Sequence, residues 1–344
     1  MKEGCRYGTH RVIEPKGTLP QPALKIDNDP VIFDNEILIN VRTLNIDSAS
    51  YTQIKNECNR NAERMKERIT SIISERGKMQ NPVTGSGGML VGTIEQIGPE
   101  FPDKKLKPGD RIATLVSLSL TPLKLNRITN LDPESDQVDV EAKAILFESG
   151  IYAKLPDDIP EKLALAALDV AGAPAQVDRL VKEGDTVCIL GGGGKSGILC
   201  CYQALKNVGP YGKVIVVEYS EENAQRIKDL NLATEVIVAD ATNVMEVYKK
   251  ITGITGPRGC DVTINNVNVP NTEMTSILIT KGQGLIYFFS MATSFTKAAL
   301  GAEGIGKDLN LIVGNGYAKG HADLTLNILR ESREIRQLFE KLYI

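Results

Sequence analysis

The stretch TVCILGGGGKSGILCCYQALKNV, residues 186–208, decides the fold of the second half of the chain. TVCIL is typical of a short buried strand, the glycines indicate a tight loop, and ILCCYQALKNV favours a helix. Gly192, Gly194 and Gly197 fit the pattern G-x-G-x-x-G. A strand, such a loop and a helix N-terminus together bind the pyrophosphate of a dinucleotide. The stretch therefore predicts a dinucleotide loop.

The next strand, KVIVVE, ends in an acid that supports this prediction. Glu218 lies 21 residues after Gly197, and an acid about 20 residues beyond such a loop hydrogen-bonds the adenosine ribose. Its charge would repel the 2′-phosphate of NADP, so Glu218 favours NAD. Tyr219 and Ser220 leave NADP open as an alternative.

Three other interpretations of this segment stay open. The glycines also fit a plain tight turn, and Glu218 also fits a solvated acid at a strand end. The GKS tripeptide is similar to a P-loop, but G-x-x-x-x-G-K-S requires glycine at position 189, which is Ile189. Nucleoside triphosphate hydrolysis is therefore a minor alternative.

Residues at the ends of the later strands complete the predicted cofactor site. Ligands of open α/β sheets bind at the carboxyl ends of the strands, although polar residues there are often simple caps. The predicted cofactor-binding set is Gly192, Gly194, Lys195, Ser196, Gly197, Glu218, Tyr219, Ser220, Asp240, Asn266, Val267, Phe289 and Ser290. The predicted cofactor is NAD, with NADP as the alternative.

Strands and helices alternate in the second half of the chain, after a helical run that starts at Asp158 or Pro160. This predicts an α/β fold with a doubly wound parallel sheet. Residues 1–155 are mostly β-like, with strands expected in 31–46, 89–98, 106–116 and 144–155. We predict a β-rich domain over 1–155 and a dinucleotide-binding domain over 156–317, with 318–344 packing back on the first domain. The charged helical segment 53–78 is interpreted as a surface insertion.

The composition is that of an ordinary globular protein. Of 344 residues, 42% are hydrophobic and 24% charged, and the net charge of −3 provides no basic footprint for nucleic acid. No apolar run approaches about 18 residues, and the N-terminus has no secretory signal. The six cysteines lack C-x-x-C spacing, which favours a reduced, cytoplasmic protein. With two histidines, a multi-histidine metal site is not expected.

A second glycine-rich stretch, TGSGGM at residues 84–89, does not fit a dinucleotide loop. After Gly85 and Gly87, the third glycine position of the pattern is occupied by Leu90. The strand-like VGTIEQIG follows instead of a helix, so no helix N-terminus is available for a phosphate.

The order of these parts, a β-rich half with LKPGDRI before a dinucleotide-binding half, resembles the medium-chain dehydrogenase/reductase superfamily. That resemblance implies a GroES-like catalytic domain followed by a Rossmann domain. More narrowly, CRYGTHRVIEPKGTLPQPA, NPVTGSGGM, ILFESGIYAKLP and FFSMATSFTKAALGAEG resemble the dehydrogenases of anaerobic lysine fermentation that act on a diamino acid. This implies NAD-dependent oxidative deamination of L-erythro-3,5-diaminohexanoate to 5-amino-3-oxohexanoate and ammonium.

The same resemblance implies a site without zinc. Where zinc-dependent relatives carry a G-H-E segment, this chain has Gly85, Ser86 and Gly87. The positions of two ligand cysteines fall at about Asp47 and Asp169, and the four-cysteine zinc lobe of those relatives is absent. No metal is therefore expected.

Oxidising an amine requires a base for the ammonium, because the freed nitrogen lone pair then drives hydride departure. Carboxylates would also recognise the ammonium groups of a diamine. The predicted catalytic residues are Asp47, Asp169, Glu148, Ser86 and Tyr51, with Lys124 or the hydroxyls of SLSLTPLK for the substrate carboxylate. Each carboxylate also fits an N-cap, turn or surface role, and Tyr51 and Ser86 also fit structural roles.

Two alternative functions stay open. A zinc-independent quinone or enoyl reductase of the same superfamily would prefer NADPH, which Glu218 opposes. A nucleotide-binding relative without enzymatic activity would share the fold alone. The expected partner is a small diamino acid, with no nucleic acid and no membrane. NLIVGN, residues 310–315, resembles the strand that pairs subunits in the superfamily, so a homodimer or higher homo-oligomer is expected.

Overall fold

A computed structural model describes residues 4–314 and 316–344. The chain forms two compact units that divide between Leu165 and Ala166. This division falls inside a helix, α3 (Glu161–Leu168), and lies later in the chain than the predicted boundary at 155/156. Within the described ranges, no helix combines the length and the apolar composition that a membrane crossing requires.

The described part of the first unit is built on an antiparallel sheet of six strands. The strands among the described residues of this unit are β1 (Val12–Glu14), β2 (Lys25–Ile26), β3 (Ile37–Ile46), β4 (Gly88–Ile97), β5 (Arg111–Thr114), β6 (Leu123–Leu131), β7 (Gln137–Leu146) and β8 (Tyr152–Lys154). β1 pairs with β2, and the other six lie in the order β6-β7-β3-β4-β5-β8. β6 was absent from the predicted strands, only the last three residues of β7 lie within a predicted strand, and β3 begins later than predicted.

Two helices of the first unit pack into its core, so the interpretation of 53–78 as a surface insertion is wrong. They are α1 (Ser48–Glu57) and α2 (Ala62–Arg76). The buried residues of α2, each at most 1% exposed, are Met65, Ile69, Ile72 and Ile73. Their spacing of three and four residues places them on one helical face, with the charged residues on the other.

The second unit contains a doubly wound parallel sheet. Its strands are β9 (Thr186–Leu190), β10 (Lys213–Glu218), β11 (Glu235–Val238), β12 (Cys260–Asn265), β13 (Thr280–Phe288) and β14 (Asn310–Val313). Over the described residues they lie in the order β11-β10-β9-β12-β13-β14, with every neighbouring pair parallel. The order reverses between β9 and β12, the switch point at which such sheets bind ligands. The predicted fold class is confirmed.

The remaining helices are α4 (Gly172–Leu180), α5 (Lys195–Val208), α6 (Glu221–Asp229), α7 (Val244–Thr255), α8 (Glu273–Ile279), α9 (Phe295–Gly304), α10 (His321–Glu331) and α11 (Arg333–Tyr343). The helical run predicted from Asp158 or Pro160 is two helices, α3 and α4, and α9 was not predicted. Residues 318–344, expected to return to the first domain, belong to the second unit, where α10 packs against α4 and α5. The last residue of NLIVGN, Asn315, lies outside the described residues.

Candidate functional site

The glycine loop of the second unit joins β9 to α5 at the switch point of the sheet. Gly191 has a φ of 78°, a left-handed conformation that favours glycine. A Cβ on Gly197 would lie 2.2 Å from the Gly191 carbonyl oxygen, so α5 packs on the loop at a distance that only glycine permits. A Cβ on Gly194 would meet nothing within 4 Å. The backbone at the start of α5 is therefore open to a ligand.

The start of α5 has the electrostatics of an anion site. Gly194 is the N-cap, and Lys195 and Ser196 are the first helical residues. The N–H groups of a first helical turn have no carbonyl partner within the helix, and the helix dipole adds partial positive charge. This arrangement can hold a pyrophosphate, as the sequence predicted.

Glu218 ends β10 beside the same loop. Its Oε2 accepts from the Gly193 N–H at 2.8 Å, and its Oε1 accepts from the N–H groups of Tyr219 at 3.0 Å and Ser220 at 3.1 Å. Glu218 is 7% exposed, so the alternative of a solvated strand-end acid is wrong. Tyr219 is exposed, and Ser220 caps α6 by accepting from the Asn223 N–H at 3.3 Å.

Asn265, which the sequence analysis missed, joins the ends of β12 and β13. Its buried Nδ2 donates to Thr272 Oγ1 at 2.8 Å and Ser276 Oγ at 3.0 Å. Its Oδ1 accepts from the Val267 N–H at 3.0 Å, and its carbonyl oxygen accepts from the Phe289 N–H at 3.0 Å. One side chain and its backbone thus orient two of the predicted cofactor residues.

Asn266 follows directly and has a polar side chain that is poorly satisfied. Both of its amide atoms are buried and make no hydrogen bond to nitrogen or oxygen among the described residues. Burial raises the pKa of the neighbouring Cys200 thiol to about 12, while a contact with Asn266 opposes that rise. Unsatisfied buried amides are costly and often mark a place where a ligand supplies the partner.

The two remaining strand-end residues have local capping contacts. Asp240 accepts from the Thr242 N–H at 2.8 Å and from its hydroxyl at 2.7 Å, and these bonds lower the pKa of the exposed carboxyl. Ser290 Oγ accepts from the Ala292 N–H at 3.1 Å. Both contacts are those of turn caps, a role that the sequence left open.

Asp169, predicted to be catalytic, lies in the turn between α3 and α4 and contacts the predicted cofactor residue Lys195. Lys195 Nζ lies 3.2 Å from Asp169 Oδ2, and the two side chains are 16% and 19% exposed. Tyr343 of α11, which the sequence analysis missed, has its ring centroid 5.4 Å from Lys195 Nζ. A candidate base and the cation of the glycine loop therefore lie together in the second unit.

In the first unit, Asp47 is the N-cap of α1. Its Oδ1 accepts from the Ser50 N–H at 3.0 Å, whereas its Oδ2 is buried and has no hydrogen-bond partner among the described residues. Its N–H points to the Gly87 carbonyl oxygen at 3.4 Å, so Asp47 lies against the second glycine stretch. Asp47 has the capping role that the sequence allowed, with one carboxyl oxygen left for another donor.

Ser86 belongs to a hydroxyl cluster with Ser50 and Thr84, two residues that the sequence analysis missed. Ser50 Oγ lies 2.6 Å from Thr84 Oγ1 and 2.8 Å from Ser86 Oγ, and the latter two oxygens are 3.0 Å apart. Each hydroxyl has one donor and two acceptor positions. The hydroxyl cluster therefore retains acceptor capacity for a further polar group.

Tyr51 and Glu148 make contacts that hold parts of the first unit together. The Tyr51 hydroxyl, in a side chain 5% exposed, donates to the Asp132 carbonyl oxygen at 2.6 Å. Burial, with a smaller contribution from nearby acids, raises the pKa of this phenol. Glu148 Oε2 accepts from Asn35 Nδ2 at 3.0 Å, and Arg6 Nε lies 3.7 Å from Glu148 Oε1. These contacts match the structural roles that the sequence left open.

The SLSLTPLK segment has hydroxyls that bond within the segment. Ser119 Oγ donates to Ser117 Oγ at 2.8 Å, and Thr121 Oγ1 donates to the Ser117 carbonyl oxygen at 3.1 Å. Ser119 and Thr121 are buried, while Lys124 is exposed on β6. Among the groups predicted to bind a substrate carboxylate, Lys124 is therefore more accessible to a ligand than Ser119 and Thr121.

Comparison with known proteins decides the family. Residues 10–156 match the family described as the L-erythro-3,5-diaminohexanoate dehydrogenase N-terminal domain. A relative with that dehydrogenase name from Acetoanaerobium sticklandii is 59% identical over 343 residues, covering 99% of this chain and 100% of the relative. One from Fusobacterium nucleatum subsp. nucleatum is 60% identical over 348 residues, covering 100% of both chains. This chain belongs to the L-erythro-3,5-diaminohexanoate dehydrogenase family.

The fold of this diaminohexanoate dehydrogenase family member is similar to that of solved reductases. A quinone oxidoreductase from Pseudomonas syringae pv. Tomato DC3000 has a TM-score of 0.57 at 20% identity, over 89% of this chain and 83% of that one. A mycobacterial protein solved in complex with NADPH has a TM-score of 0.55 at 17% identity, over 93% of this chain and 85% of that one. At these identities the similarity supports the two-part fold.

Proposed function

We propose that this chain catalyses the NAD-dependent oxidative deamination of L-erythro-3,5-diaminohexanoate to 5-amino-3-oxohexanoate and ammonium. The observation that carries the proposal is the full-length identity to two proteins of that dehydrogenase name. The glycine loop and the carboxylates described above provide the kinds of group that such a reaction requires.

The second unit has residues that fit a nicotinamide dinucleotide. Gly194 leaves open backbone at the start of α5 for a pyrophosphate, and Asn266 has buried amide atoms that a ligand can satisfy. Bound there, the dinucleotide would accept hydride from the substrate carbon that carries the amine. Glu218 supports NAD, because a carboxylate at the ribose position would repel a 2′-phosphate. The NADPH complex of the mycobacterial structural relative supports keeping NADP as the alternative.

The proposed reaction consumes water and releases ammonium. The substrate ammonium first loses a proton, and hydride then leaves the carbon that carries the nitrogen. Water adds to the resulting iminium carbon, and the nitrogen departs as ammonium. Each turnover converts one substrate, one NAD and one water into one oxo acid, one NADH, one ammonium ion and one proton. The chain must therefore provide a base for the first proton and polar contacts for the water.

Carboxylates are the proposed partners of the substrate ammonium groups. Asp169 in the second unit and Asp47 in the first are both candidate bases, and the unpaired Oδ2 of Asp47 can accept from an ammonium N–H. Ser86, with the rest of the hydroxyl cluster, can accept from an ammonium or donate to a water. Glu148 and Tyr51 stay predicted site residues whose observed contacts are structural.

A cytoplasmic homodimer or higher homo-oligomer is also part of the proposal. β14 lies at the edge of the parallel sheet formed by the described residues, so its outer backbone groups can pair with another strand. The six cysteines are free thiols, which is consistent with a reducing compartment. Sedimentation velocity of the purified chain would measure the oligomeric state, and a monomer at micromolar concentration would contradict this part.

A substrate panel tests the function. The purified chain is given NAD with 3,5-diaminohexanoate and, separately, with simple alcohols and α-amino acids, and is given NADPH with quinones. Reduction of NAD by the diamino acid at the highest kcat/KM is expected. Faster turnover of quinones would favour the reductase alternative. Exhaustive chelation with elemental analysis is run in parallel, and lost activity together with a bound metal would overturn the zinc-free interpretation.

A further inference from the structure

Lys195, the cation at the start of α5, contacts Asp169 and Tyr343 of the second unit. Its Nζ lies 3.2 Å from Asp169 Oδ2 and 5.4 Å from the ring centroid of Tyr343. Tyr343 packs in turn against buried Phe339, with ring centroids 5.0 Å apart. Because the Lys195 and Asp169 side chains are 16% and 19% exposed, water and salt screen this ion pair less than a surface pair.

Lys195 contacts the carboxylate of Asp169 and is also the first residue of α5, at the helix end where a pyrophosphate would bind. Lys195 follows the N-cap Gly194, whose surroundings are open, at the helix end where a pyrophosphate binds in this fold. A dinucleotide pyrophosphate carries two negative charges, whereas an ionised Asp169 carries one. The lysine ammonium is a point charge on a flexible side chain, so it can move to contact the anion with the larger negative charge. The residue that contacts Asp169 is thus also part of the phosphate-binding turn.

We propose that Lys195 exchanges Asp169 for the pyrophosphate when a dinucleotide binds. Without dinucleotide, the ion pair occupies Asp169. With dinucleotide, the ammonium contacts phosphate, and Asp169 Oδ2 exchanges Lys195 for the substrate ammonium. Lys195 is then a positioning residue that makes productive substrate binding follow cofactor binding. The use of Asp169 on the substrate rests on the proposed function, whereas the exchange itself is a property of dinucleotide binding.

A double-mutant cycle on ADP-ribose binding tests the exchange. ADP-ribose carries the pyrophosphate without the nicotinamide charge, and its affinity is measured by calorimetry on the full chain. Lys195→Met should weaken binding roughly tenfold. Asp169→Asn should tighten it roughly fivefold, because in that variant Lys195 breaks no ion pair when it moves to the pyrophosphate. In the Lys195→Met background, Asp169→Asn should change the affinity by less than about twofold.

Two results would overturn the exchange. Unchanged or weaker binding by Asp169→Asn would mean that the ion pair is structural. Tightening that persists in the Lys195→Met background would mean that Asp169 simply repels phosphate. Lys195→Arg keeps the charge and should bind within about threefold of the wild type. Melting temperatures without ligand check folding, and Asp169→Ser replaces Asp169→Asn in the cycle if the latter does not fold.

Failure of the proposed function would give a different result. The wild-type chain would then not turn over 3,5-diaminohexanoate, while the ADP-ribose cycle would still report whether Lys195 and Asp169 are coupled through the pyrophosphate.

Discussion

The two glycine-rich loops of this chain differ in the element that follows them: the helix α5 follows the loop at 191–194, and the strand β4 begins at the end of the loop at 84–88. In the loop at 191–194, Gly194 has open space around its Cβ position, so a ligand can reach the backbone at the start of a helix. In the loop at 84–88, Gly85 also has open space, whereas a Cβ on Gly87 would lie 2.4 Å from the Met79 carbonyl oxygen. Glycine content alone therefore does not identify a phosphate loop. The helix that follows the glycines does.

Gly197→Ala is expected to give the largest effect, a decrease in the free energy of unfolding. A Cβ 2.2 Å from the Gly191 carbonyl oxygen must push α5 away from the loop, and overpacking of this kind costs about 1–3 kcal/mol. The matched variant Gly194→Ala has space for its Cβ and should fold normally while binding NAD less tightly. Denaturant unfolding and NAD titration measure the two effects. Equal unfolding free energies for both variants would show that the loop is not packed as described.

Glu218→Gln should give the next largest effect, on cofactor choice. The substitution keeps the size of the side chain and removes the charge that we propose to face the ribose. The preference for NAD over NADP, taken as the ratio of dissociation constants, should fall roughly tenfold, mainly through tighter NADP binding. Glu235→Gln, exposed at the start of β11, is the control and should leave the ratio unchanged. The same ratio in Glu218→Gln and the wild type would contradict the proposal that Glu218 contacts the adenosine ribose.

Ser86→Ala tests whether the loop at 84–88 contacts substrate rather than cofactor. Loss of one hydroxyl from the hydroxyl cluster should raise the KM for the diamino acid roughly fivefold, the equivalent of about 1 kcal/mol for one hydrogen bond. The affinity for NAD should stay unchanged. Ser74→Ala, exposed on α2, is the control. A weaker NAD affinity in Ser86→Ala, with the KM for the diamino acid unaltered, would reverse the roles assigned to the two loops.

The smallest expected effect concerns a buried cation of the first unit, Lys78, which follows α2. Fully buried Lys78 donates from Nζ to the Pro20 carbonyl oxygen at 2.6 Å and the Gln21 carbonyl oxygen at 3.0 Å. Burial, with a smaller repulsion from Arg76, lowers the pKa of Lys78 from its ordinary 10.5 to about 7. The unfolded chain therefore keeps this proton to higher pH than the folded protein does.

It follows that Lys78 makes the free energy of unfolding rise with pH between about 7 and 10.5. Lys78→Met should remove this part of the rise, which is measured by urea unfolding at several pH values in that window. Lys124→Met, exposed on β6, is the control for loss of a surface charge. If the free energies of unfolding of Lys78→Met and the wild type changed in parallel with pH, burial would not lower the pKa of Lys78.

Short-range patterns sufficed to predict the strands and the helix around the glycine loop of the second unit. The strand, the glycine loop, the helix and Glu218 all lie within residues 186–218, and β9, α5 and β10 lie where the sequence placed them. Glycine spacing and the length of each segment carry this information locally. Asn265 was missed, although a polar doublet at the end of an apolar strand was an available signal.

The first unit was less predictable because its site is assembled from distant segments. The hydroxyl cluster joins residues 34 and 36 positions apart, through the packing of α1 against the second glycine loop. No local periodicity predicts that contact. The charges of α2 favour a surface segment, whereas its apolar positions at spacings of three and four were the signal for a core helix. Tyr343 meets Lys195 from the far end of the chain, which sequence spacing could not show.

Product stoichiometry tests the central claim most directly. The purified chain is incubated with NAD and L-erythro-3,5-diaminohexanoate, and NADH, ammonium and 5-amino-3-oxohexanoate are quantified together. We predict one NADH and one ammonium for each oxo acid formed. NADH formation without ammonium, or no turnover by a chain that binds NAD, would contradict oxidative deamination as its function.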